Sequence, residues 1–133
     1  MSAPDALLAL AREALEGFVE VTVDDDGSLA LQHADVLAVL QAVALAPGLV
    51  VLSTTCVLAW DLPAGPRLTA SALAAGEAVQ FGGIGVSERD GLADVTLRYA
   101  FPAAGMATDA LRTLLLLVLS GASRARTDTL AGL

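Results

Sequence analysis

The sequence predicts an α+β domain in which an antiparallel sheet packs against helices. Three observations lead there. Apolar residues make up 56% of the 133 and charged residues 17%, a balance that supports one buried core spanning residues 1–133; a disordered chain shows the reverse. Several segments alternate apolar and polar side chains around Asp-Gly turns, the pattern of half-buried antiparallel strands. The first and last long segments instead repeat apolar residues at helical spacing.

Residues 4–17 read as a helix. Pro4 suits its first turn behind Ser2 or Ala3, and Gly17 ends it. Leu7, Leu10, Ala11, Ala14, Leu15 and Phe18 mark its apolar face. Residues 18–24 alternate Val19, Val21 and Val23 with Glu20, Thr22 and Asp24, which predicts a strand. Asp25-Asp26-Gly27 is a turn, and Leu29 and Leu31 resume the alternation. Residues 35–46 are open between two readings. Ala, Leu and Gln favour a helix capped by Asp35, whereas a short segment apolar on every side also fits a central strand. Leu49 to Trp60 is rich in Val, Leu, Thr and Cys, a strand composition, and Leu62 to Pro66 is a proline-broken loop.

A short helix is predicted over 67–77. A hairpin follows, from Val79 to Glu88, through Arg89-Asp90-Gly91, and back from Leu92 to Phe101. In its second arm Val95, Leu97, Tyr99 and Phe101 share one face, and Asp94, Thr96 and Arg98 the other. After the Pro102–Gly105 loop, Thr108 is the expected N-cap of a helix over 109–125, with Arg124 and Arg126 near its end. The order is helix, two or three strands, helix, two strands, helix.

The net charge is −8 and is uneven. Residues 1–66 hold nine acidic groups and one basic group, Arg12, while residues 67–133 hold six of each. A phosphate backbone needs clustered cations, so nucleic acid is not an expected partner. All the basic residues are Arg, and the excess of Ala, Arg, Gly and Val is of the kind GC-rich bacterial genomes encode. The one cysteine, Cys56, allows no internal disulfide and suits a reducing cytoplasm. The first residues lack the positive and apolar regions of a signal peptide. No charge occurs between Asp35 and Asp61. Pro47-Gly48 interrupts that stretch and both its borders are acidic, so two strands joined by a turn are expected there, not a membrane span.

No catalytic constellation is legible, and no cofactor or metal is expected. His33 and Cys56 are the only imidazole and thiol, too few for zinc, and a thiol inside an apolar strand is normally inert. Asp24-Asp25-Asp26-Gly27 fails the calcium-loop pattern, because the sixth residue is Leu29 and the twelfth Asp35. Phe81-Gly82-Gly83-Ile84-Gly85 lacks the spacing and the Lys of phosphate loops, and reads as a bulge or a close backbone approach. Glu13, Glu16 and Glu20 read as a solvated face.

The last helix points elsewhere. Leu111, Leu115, Val118 and Ala122 form one stripe, flanked by Leu114 and Leu119, while Leu116 and Leu117 fall on the opposite side with Thr113, Ser120 and Arg124. Burying each leucine contributes roughly 1.5–3 kcal/mol, so a partner covering them is the expectation: a second copy or a protein groove. Phe81, Ile84 and Trp60 join Leu116 and Leu117 as candidate interface residues.

Three stretches resemble the YbjN-like proteins and the type III secretion chaperones whose fold they share. They are Leu49-Val-Val-Leu-Ser with Asp61-Leu-Pro63, Val79 to Val86 with the Asp-Gly turn, and Tyr99-Ala-Phe-Pro102 leading through Gly105-Met106 into the last helix. With the first helix, the resemblance covers nearly the whole chain. It implies the order α-β-β-β-α-β-β-α, a strand at about 36–46, and a cytoplasmic, non-enzymatic homodimer binding protein or peptide segments through apolar surfaces without ATP. The Asn often found in the family's second helix is absent here, and nothing in the chain indicates a secretion role. The rival expectation is a small-ligand regulatory domain with a pocket near Phe81, Trp60 and Tyr99.

Overall fold

Ser2 starts the first helix. Its hydroxyl accepts the Asp5 amide at 3.2 Å while the Asp5 carboxylate accepts the Ser2 N–H at 3.3 Å, closing a capping box. In the computed structural model, which describes all 133 residues, α1 runs Ala3–Leu15, followed by β1 (Glu20–Val23), β2 (Leu29–His33), β3 (Val36–Ala46) and β4 (Leu49–Pro63). Then come α2 (Pro66–Glu77), β5 (Gly83–Arg89), β6 (Leu92–Pro102) and α3 (Thr108–Ala131). The six strands form one antiparallel sheet in the order β1-β2-β3-β4-β6-β5. The α+β class therefore holds, with four strands before α2 where two or three are predicted.

Segment 36–46 is a strand. It pairs with β2 on one side and with β4 along most of its length, joined to β4 through Pro47-Gly48. The long uncharged stretch is thus a hairpin, and no helix is long and apolar enough to cross a membrane.

All three helices cover one face of the sheet. The register aligns Ala38, Cys56 and Leu97 in one row, and Leu40, Thr54 and Tyr99 in the next. These side chains point under the helices, and with Leu7, Ala11, Leu15, Leu52, Leu115 and Val118 they build the core. Small side chains let the helices sit close: Ala11, Ala14, Ala72 and Ala122 are buried. Arg112 links the first and last helices, donating to the Ala14 carbonyl at 2.6 Å and lying 4.4 Å over the Phe18 ring.

Several boundaries differ from expectation. Residue 108 is the first helical position and Ala107 the cap, with no side-chain cap bond, so Thr108 does not cap α3. The helix continues to Ala131 because Thr129 is buried and its carbonyl accepts the Ser71 hydroxyl of α2 at 2.6 Å. Arg124 and Arg126 therefore precede the last turn. The first arm of the second hairpin starts at Gly83, not Val79, since Val79–Gly82 turns the chain out of α2. Gly82 (φ +94°) carries the close approach expected of the glycine-rich run. A Cβ there would lie 2.7 Å from the Arg98 carbonyl oxygen. Gly83 and Gly85 pair regularly with Arg98 and Thr96, without a bulge.

Candidate functional site

The uncovered face of the sheet is uncharged over β3 and β4. Antiparallel register brings Leu37 beside Val57 and Thr96, Val39 beside Thr55 and Arg98, Gln41 beside Ser53 and Ala100, and Val43 beside Val51 and Pro102. Valines, a leucine and uncharged polar side chains thus form a strip two strands wide. Arg98 on β6 borders it.

Trp60 stands at one end of this strip, 57% exposed. The register of β4 against β6 shifts between Ala59 and Leu62, so Trp60 and Asp61 bulge out of the ladder. Asp61 takes φ +55°, and its N–H donates to the Asp94 carboxylate at 3.0 Å. Arg89 reaches back from β5 to pair with both Asp61, at 2.9 Å, and Asp94. The Arg89 guanidinium, followed by the Asp61 amide, holds the Asp94 carboxyl below its ordinary range. This network fixes the bulge and, through it, the position of the indole.

A concave region lies between α2 and α3. It is a cleft of about 250 Å³, with Val79 and Phe81 on one wall and Leu117, Gly121 and Arg124 on the other. Leu117 is 49% exposed there. A Cβ on Gly121 would touch nothing, so the glycine widens the cleft without serving any protein contact.

The sequence-predicted interface residues are not one patch. Leu116 and Leu117 lie on different sides of α3. Leu116 is half-buried against the core, on the side where Arg112 meets α1 and Ser123 donates to Asp35. The physical reason is that α3 packs between α1 and α2, so its buried arc is wider than one stripe. Phe81 shares the cleft with Leu117, whereas Ile84 lies over Gly76 of α2, where an added Cβ would meet it at 3.6 Å. Trp60 is apart from all four, at the end of the uncovered face. The pocket expected near Phe81, Trp60 and Tyr99 is also corrected. Phe81 and Tyr99 pack on each other with centroids 5.8 Å apart, Tyr99 stacks on Phe101 at 5.2 Å, and the cleft lies between Phe81 and α3.

Apart from the Arg89, Asp61 and Asp94 network, the titratable groups named from the sequence are dispersed. Cys56 is fully buried on the helix-covered face, and burial pushes its thiol up to about 12. His33 is half-buried at the end of β2. Glu16 pairs with Arg12 on the exposed side of α1. Asp26 accepts the Ser28 hydroxyl at 2.6 Å, within the tight turn expected there. The signal missed in the sequence is the uncovered strip: Val39, Val43, Val51 and Val57 alternate with core residues, visible only once 36–46 is a strand. Comparison with protein-family models, curated proteins and solved structures finds no match to this chain.

Proposed function

We propose that this chain is a non-enzymatic, chaperone-like module that acts as a homodimer and binds extended apolar segments of other proteins in the cytoplasm, in the manner of the YbjN-like proteins and secretion chaperones it resembles. The observation that carries the reading is the uncharged, uncovered strip on β3 and β4 ending in an exposed tryptophan. Contiguous exposed apolar surface marks protein contact sites, and Trp is a frequent binding anchor. A strip of β-branched side chains suits an extended segment laid across it. The element order agrees with the α-β-β-β-α-β-β-α that the resemblance implies from α2 onward and has one further strand before it.

The test is suppression of aggregation. A stoichiometric amount of the protein, without ATP, is expected to slow the light scattering of a thermally unfolding reporter enzyme. Val57→Glu, which puts a charge in the strip, is expected to abolish the effect while leaving the fold intact by circular dichroism. Equal scattering with and without the wild type defeats the reading.

The cleft between α2 and α3 favours a second reading, a small-ligand regulatory domain. Arg124 suits a small carboxylate and Leu117 and Phe81 its apolar body, with Asp128 on the same lining facing any donor group the ligand carries. A thermal-shift series with short-chain fatty and aromatic acids separates the two: a saturable rise in Tm supports the ligand reading.

A further inference from the structure

We propose that two copies of the chain pair through the outer edge of β3, at residues 41–46, so that their sheets join into one across a two-fold axis. This rests on the homodimer part of the preceding reading and places its interface.

β3 outruns its neighbour. β2 pairs with it only from Val36 to Leu40, where Leu40 faces Leu29. Beyond that point the chain turns away through Asp24–Ser28, and Gln41-Ala-Val-Ala-Leu-Ala46 has a ladder to β4 alone, regular from Gln41 to Ala44 and shifted in register at Leu45. This edge carries no charge and no proline. The two outermost strands differ: β1 presents Glu20, and β5 presents Glu88 and Arg89. Natural sheets blunt free edges with such charges, and an edge without them is a template for another strand. Apart from Gln41, the side chains on this arm are apolar on both sides. Val43 and Leu45 are exposed, Leu45 at 63%, as are Ala44 and, beyond the turn, Leu49.

Two facts select a second copy as the occupant. An antiparallel edge is complementary to itself, since a two-fold axis normal to the sheet pairs it with its own image and keeps open face to open face. Residues of one face then meet, and an axis at Val43 sets it against the partner subunit's Val43, with Ala42 opposite the partner subunit's Ala44. The second fact is charge. Each chain carries −8, and the uncharged stretch from 36 to 60 is where two such bodies approach with least repulsion. The acidic turn at Asp24–Asp26 borders the edge and disfavours acidic foreign segments, but not the uncharged hairpin tip of a second copy.

The experiment is light scattering across a concentration series, with site-directed cross-linking. Wild type is expected at twice 13.4 kDa. Val43→Lys sets two like charges across the axis, so the dimer Kd is expected to rise at least about tenfold, whereas Leu117→Lys leaves it unchanged. Val43→Cys is expected to cross-link as a dimer with a short bismaleimide; the parent, with only buried Cys56, is not. A dimer whose Kd ignores Val43→Lys and whose Val43→Cys form does not cross-link overturns the edge pairing and leaves the homodimer standing. A wild type monomeric at every concentration overturns both, without bearing on the strip's binding of other proteins.

Discussion

The two faces of the sheet are made by the same strands and differ in almost everything else. On β4, Leu52, Thr54 and Cys56 point under the helices and are wholly buried, while Val51, Ser53, Thr55 and Val57 point the other way with nothing over them. The covered face is a packed core. The uncovered face has the composition of a core margin, apolar and uncharged, without the packing. Stability resides in the first and exposed apolar surface in the second, so mutations one residue apart are expected to separate them.

The largest effect is on the covered face. Leu52→Ala is expected to cost about 2–5 kcal/mol in urea denaturation, whereas Val51→Ala costs under about 1 kcal/mol. Equal costs would mean that the two faces are not distinct. Next, Gly82→Ala forces a Cβ onto the Arg98 carbonyl at a positive φ, with an expected loss of roughly 1–3 kcal/mol and a lower Tm. Thr54 sharpens the comparison from the other direction. Its hydroxyl is buried on the covered face without a hydrogen-bond partner, so Thr54→Val is expected to stabilise the fold by about 1 kcal/mol. Thr55→Val, on the open face, is expected to change stability by less than about 0.5 kcal/mol.

The smallest effect concerns pH. The Ser123 hydroxyl, followed by Arg126, holds the Asp35 carboxyl below its ordinary value. A carboxylate lowered in the folded state contributes stability above its unfolded pKa, about 3.9, and that contribution is lost as pH falls through the folded value. Asp35→Asn is therefore expected to be less stable than wild type at pH 7, and the difference to shrink below pH ~4. A difference independent of pH would locate the effect elsewhere than in ionisation.

Much of this was legible in the sequence, because the pattern there was local. The alternation from Leu92 to Phe101 names the faces of β6 outright, and Leu111, Leu115, Val118 and Ala122 are all buried as their spacing requires. Segment 36–46 was not legible: both its faces are apolar, one covered by helices and the other bare, and alternation disappears when neither face is charged. The exposure of Trp60 was hidden because a bulge aims it, and the bulge depends on register with β6. Leu116 and Leu117 fall together by helical angle, but a helix packed on two flanks half-buries Leu116 and leaves Leu117 exposed. The end of α3 was hidden too, since Arg126, Thr127 and Asp128 read as solvent while Thr129 is held by α2.

Trp60 is the only tryptophan, and it stands at the end of the uncovered strip. Its fluorescence therefore reports occupancy of that face without a label. Titration with an unfolded, tryptophan-free polypeptide rich in apolar residues is expected to shift the emission to the blue and to saturate, and Val57→Glu to abolish the shift. An emission unchanged at every concentration, with the polypeptide sedimenting as though the protein were absent, would contradict the claim that this face binds extended chains.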